Sequence, residues 1–150
     1  MFSKVFYFLD RLILGTVKKI SVPLARFSLF VVFFWFGALK VFGMSPANPL
    51  VAQLLTKTLP FISFEQFIIA FGVYEMVIGI FFLLPRYERI AIFLLIPHLV
   101  TTCLPLFLLP TVTWTRPLVP TMEGQYIIKN LAIIATALAL ASRLHPHYRN

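Results

Sequence analysis

With 150 residues, 60% of them hydrophobic and only 12% charged, and a mean hydropathy of +0.93, the chain is too apolar and too poor in charge for a soluble globular domain. Its net charge of +8 does not point to nucleic acid, because Lys and Arg gather mostly at the ends of apolar segments, where membrane-flanking residues belong. The single cysteine, Cys103, excludes an internal disulfide and a CxxC redox pair.

Residues 1–21 mix an apolar set at helical spacing with Lys4, Asp10, Arg11, Lys18 and Lys19. The charges do not suit the apolar centre of a signal peptide, and the pattern predicts an amphipathic helix in the membrane interface rather than an extension of the first span. The first span is expected at about 22–42, with Pro23 near its start and Gly43 as its C-terminal stop. Asn48-Pro49 has N-cap and N1 chemistry, so a short amphipathic helix follows on the outer surface and ends at Pro60.

The second span, 64–84, opens with the capping box Ser63-Phe64-Glu65-Gln66. A tight turn at 86–89 leads to the third span, 90–109, in which Pro97 and Pro105 free carbonyls for Thr101 or Thr102 to satisfy. A loop at 110–120 carries Trp114 as an interface anchor, and Thr121 caps the fourth span, 122–142. The expected fold is an all-α integral membrane four-helix bundle, with an interfacial helix before it and a tail, 143–150, after it. Lys4, Arg11, Lys18, Lys19, Arg26, Arg86, Arg89, Arg143 and Arg149 fall on one side. Lys40, Lys57, Arg116 and Lys129 fall on or toward the other, so both termini are expected in the cytoplasm of a cell whose inner membrane holds the chain.

Glu75 stands near the middle of the second span, where a carboxylate costs about 2.5–3.5 kcal/mol unless it is neutral or paired. Gly72 and Gly79 share its helix face and let a neighbouring backbone approach. Counted from the caps, Glu75 lies ~18 Å deep and Lys129 ~12 Å deep from the same side, while His98 reaches ~13 Å from the other. The depths predict an ionised Glu75–Lys129 pair between the second and fourth spans, with Tyr126 and Asn130 as further donors. Lys40, near the end of its helix, is expected to need tilt or snorkelling to join them, or to pair with Glu65 or Glu123. Trp35 or His98 would mark the opening of such a pocket toward lipid. A Glu–Lys pair also serves simply to fix helix register. Two histidines in the tail, His145 and His147, read as a solvated end, and no metal site is expected.

Four stretches in order together resemble the DoxX-like family of small four-helix membrane proteins: Arg26 followed by Trp35-Phe36-Gly37-Ala38-Leu39-Lys40; Gly72-Val73-Tyr74-Glu75 with Gly79; Thr101-Thr102-Cys103-Leu104-Pro105; and Glu123-Gly124-Gln125-Tyr126-Ile127-Ile128-Lys129-Asn130. The resemblance covers about residues 22–142. It implies a four-span bundle associated with respiratory or thiol redox systems, some relatives being subunits of quinone-linked thiosulfate oxidation, others members of oxidative-stress complexes, and distant ones membrane-protein chaperones. It implies no single reaction, and the lone Cys103 does not suit a dithiol role.

The leading expectation is a non-catalytic or co-catalytic membrane subunit in which Glu75, Lys129, Lys40 and His98 bind a quinone headgroup or small anion for a redox partner protein. A homo-oligomer is the other partner arrangement. Two alternatives stand beside it: an assembly factor or chaperone whose intramembrane charges pair with a client helix, and a small transporter relaying protons through Glu75 and His98.

Overall fold

The computed structural model describes residues 2–144. Four helical stretches are long and apolar enough to cross a membrane, Leu9–Val41, Phe64–Leu83, Glu88–Leu108 and Met122–Ala141, which makes the chain a multi-pass membrane protein.

The first of them corrects the expected division at residue 21. Helix α1 (Phe2–Phe30) runs without a break through Ser21 and Pro23, then passes through a π-helical turn, Val31–Trp35, into α2 (Phe36–Val41). Nothing between Lys19 and Val22 can end a helix, and Pro23 removes only the N–H that would reach the Lys19 carbonyl. The amphipathic segment and the first span are therefore one helix, whose residues Leu9 to Ile20 are all exposed. Gly43 ends it as expected. At φ 71° it closes a Schellman turn, with its own N–H on the Lys40 carbonyl and the Met44 N–H on Leu39.

Helix α3 (Asn48–Thr58) is the short helix between the first two spans. Its N-cap is Ala47 rather than Asn48, whose side-chain amide turns back to donate to the Gly43 carbonyl. Ser63 caps α4 (Phe64–Leu83) by accepting from the Gln66 N–H.

Helix α5 (Glu88–Cys103) starts earlier than expected and keeps Pro97 inside it; α6 (Pro105–Leu108) completes the third span. Thr101 and Thr102 do not serve the carbonyls that the prolines free. Their hydroxyls donate to His98 and Leu99, and the Thr101 carbonyl, which Pro105 deprives of its usual donor, receives the Leu104 N–H instead.

The 110–120 loop is also more ordered than expected. A single turn, α7 (Pro110–Thr113), leads into a two-stranded antiparallel hairpin, β1 (Trp114–Arg116) with β2 (Val119–Pro120), and Trp114 Nε1 donates to the Leu106 carbonyl. Thr121 caps α8 (Met122–Ile128), and Lys129, itself helical at φ -61° and ψ -18°, joins it to α9 (Asn130–Ala141) in one span.

The bundle closes as a ring. Helix α4 packs on α1 and α2 on one side and α5 on the other, while α9 packs on α5 and α1. The second and fourth spans thus stand across the diagonal. The core between the four is Leu29 and Phe33, Ile78 and Phe82, Ala91 and Leu95, Ala137 and Leu140.

Candidate functional site: a buried triad at a glycine crossing

Three glycines create the site. A Cβ on Gly37 would lie 2.5 Å from the Gly72 carbonyl oxygen, and one on Gly72 would lie 2.6 Å from that of Gly37. One on Gly79 would meet the Phe34 nitrogen at 2.8 Å, beside the π turn. The antiparallel helices α2 and α4 therefore touch backbone to backbone, as small residues allow in a membrane. The π turn holds more residues per turn than an α-helix, which re-aims the residues after it, and Gly37 and Lys40 both face α4.

This register explains why Lys40 reaches Glu75. With Gly37 against Gly72 and Lys40 one turn on, α4 begins roughly 6 Å beyond the level at which α2 stops, and α3 also packs on α4. Counting depth from helix ends assumed that neighbouring helices end at one level; they do not. Lys40 Nζ donates to Glu75 Oε2 at 2.6 Å, a charge-assisted bond between residues only 6% and 5% exposed.

His98 completes the triad from α5. Its Nε2 is 3.7 Å from Glu75 Oε1, too long for a hydrogen bond, and its Nδ1 is buried without a partner. The ring is held by aromatics: Phe71 stacks on it at 5.3 Å, Phe33 meets it edge-on at 5.2 Å, and Tyr74 lies at 6.4 Å with its hydroxyl donating to the Leu94 carbonyl. The Lys40 ammonium also stands 5.6 Å over the Phe71 ring.

The other expected members are elsewhere. Lys129 is exposed on the outside of the bundle, its Nζ 5.1 Å over the ring of Tyr126, itself 62% exposed. The expected Glu75–Lys129 pair is absent, because the second and fourth spans are diagonal and Lys129 points away. Lys40 pairs with neither Glu65 nor Glu123. Asn130 is half-buried in the fourth span, and Trp35, 62% exposed, lies on the outer surface of the first. His145 and His147 lie outside the described residues.

A second ion pair escaped the sequence reading. Arg26 of α1 donates to Glu88, the first residue of α5, whose side chain is almost wholly buried. The signal was there: both residues fall at the same end of their spans. Glu88 falls within the tight turn expected at 86–89, but helix α5 already begins with it.

Two surface clefts lie away from the triad. One lies at the hairpin, lined by Trp114 and Arg116 among others, and the other between α1 and α9. Chemically, the triad can hold a proton or a fixed charge in the bundle interior, but a ligand would have to displace packed side chains to enter. Compared with protein-family models, with curated proteins and with solved structures, the chain finds no match in any of the three.

Proposed function

We propose that this chain is a DoxX-like, non-catalytic or co-catalytic subunit that binds a partner protein within an inner-membrane complex of the quinone-linked or oxidative-stress kind. The observation that carries the reading is Lys129. It follows the start of the fourth span by seven residues, about 10 Å, and is turned outward with Tyr126 alongside. A lysine on a hydrocarbon face is costly even when its stem snorkels, and a carboxylate on a neighbouring subunit's helix relieves that cost. The inner triad supports a subunit rather than an enzyme, since Glu75 is already engaged by Lys40 and no cleft described here adjoins it. The excess of basic residues at the end bearing Lys18, Lys19, Arg86 and Arg143 favours cytoplasmic termini.

The test is the size of the complex that carries the chain after mild solubilisation of native membranes. Lys129→Met and Lys129→Glu are expected to release the subunit without changing its own melting, while Lys57→Met leaves the complex intact. Complexes of unchanged size in both Lys129 variants would sink the reading.

A quinone headgroup or small anion at the triad is the second reading. His98 favours it, because a buried imidazole with one nitrogen unpartnered and the other beyond hydrogen-bond reach keeps polar capacity for a ligand oxygen. A short-chain quinone should then raise the melting temperature of wild type, and of Lys129→Met, but not of His98→Ala. No shift in wild type counts against it.

A further inference from the structure

We propose that the groove between α1 and α9 is a site for one anionic phospholipid, its acyl chain in the groove and its phosphate at the basic end. The groove is about 380 Å³, within the range of small-molecule sites. Ser21, Val22 and Ala25 line one side, and Ala135, Ala139 and Arg143 line the other. The two alanines of α9 are four apart, one above the other on a single face, and Ala25 is on the opposing wall, so three small side chains leave a slot open between helices. Thr136 and Leu140 of α9 complete the lining, while Leu131 and Leu138 are not part of it.

The slot has one charged end. Arg143 follows the lining residue Ala139 by four, just past the last turn of α9. Lys18 precedes Ser21 by three and Val22 by four, so it shares their face, and Lys19 stands next to it, both exposed. Lys18 in α1 and Arg143 beyond α9 lie toward the same end, because the two helices run antiparallel. No Asp or Glu occurs from residue 11 to 64 or from 124 to 144, and Glu88, the acid at this end of the bundle, is held by Arg26. A phosphate at that end therefore meets basic side chains with no carboxylate on α9 and the nearest one on α1, Asp10, about two turns beyond Lys18, the pattern of anionic-lipid recognition beside a membrane span.

The test uses the full chain in nanodiscs of phosphatidylcholine with a minor share of phosphatidylglycerol, followed by native mass spectrometry of the lipid retained. Wild type is expected to keep one phosphatidylglycerol in preference to phosphatidylcholine. Replacing both basic residues, Lys18→Gln with Arg143→Gln, should lower that retention about thirty-fold, as expected for the loss of two basic contacts near a headgroup. The control Lys57→Gln with Arg116→Gln removes the same charge at the opposite end and should leave it unchanged. Ala139→Leu fills the slot from an exposed wall position and should abolish retention with every basic residue in place. Equal retention of the two lipids by wild type, no difference between the two double variants, or full retention in Ala139→Leu would each overturn the proposal.

Discussion

Lys40 and Glu75 each have a side chain about 7% exposed, so neither charge can be left alone without a large penalty. Truncating one partner strands the other in the bundle interior, at an expected cost of about 3–5 kcal/mol, whereas removing both costs less than the sum. The measurement is a double-mutant cycle in detergent with Glu75→Gln, Lys40→Met and the pair, read as melting. Additive losses would mean that the 2.6 Å contact carries no coupling. Lys129→Met belongs in the same series. Its ammonium meets only an exposed ring among the contacts described, so its effect should stay within about 0.5 kcal/mol, as for surface positions generally. The pair at the other end behaves like the first: Arg26→Met leaves the buried Glu88 carboxylate unpaired and should destabilise more than Arg26→Met combined with Glu88→Gln. Equal melting of those two variants would show that Glu88 does not depend on Arg26.

Helices α2 and α4 are held by shape, and the glycines decide it. Adding a methyl at Gly37 or Gly72 forces two backbones apart, since the new Cβ would sit at about half an ångström inside any tolerated contact with a carbonyl oxygen that cannot swing away. Gly37→Ala and Gly72→Ala should each lose about 1–3 kcal/mol. Separation of the helices also lengthens the Lys40–Glu75 bond, so the loss should shrink when the pair is already removed. Gly15→Ala is the control: a Cβ there meets nothing within 4 Å, and the change should be neutral or stabilise by up to about 1 kcal/mol. Thermal melting of the three variants decides between a tight crossing and a loose one, and equal behaviour of Gly37→Ala and Gly15→Ala would rule the crossing out. The close approach at Gly72 and Gly79 was legible in sequence because both share a face with Glu75. The partner at that crossing was not. A single helix reports its own small face, but which neighbour fills it depends on the packing order and on the register of a second helix, here shifted by the π turn at Val31–Trp35.

For the whole molecule, the apolar runs and end signals carried most of the fold: four apolar stretches, the Ser63 and Thr121 caps and the Gly43 stop are all local chemistry. What sequence left undetermined was relational. Equal depth suggested Glu75 with Lys129, yet in a ring of four helices alternate members stand diagonally, and azimuth turned Lys129 outward. The ring also fixes a prediction about sidedness. Four crossings return the chain to the side on which it began, and α3 and the hairpin share one end, where Lys57 Nζ donates to the Leu108 carbonyl. Gln53 and Thr115 are therefore expected on one side of the membrane and Ser142 on the other; all three are exposed. Single cysteines at these positions in a Cys103→Ala background are read with a membrane-impermeant maleimide. Gln53→Cys and Thr115→Cys should label in intact cells, and Ser142→Cys only after permeabilisation, because the basic residues flanking the spans gather at the Ser142 end. The opposite pattern reverses the proposed orientation and leaves the bundle standing. Unequal labelling of Gln53→Cys and Thr115→Cys is the graver result: it would put the two short connections on different sides, which no four-crossing path through this ring permits.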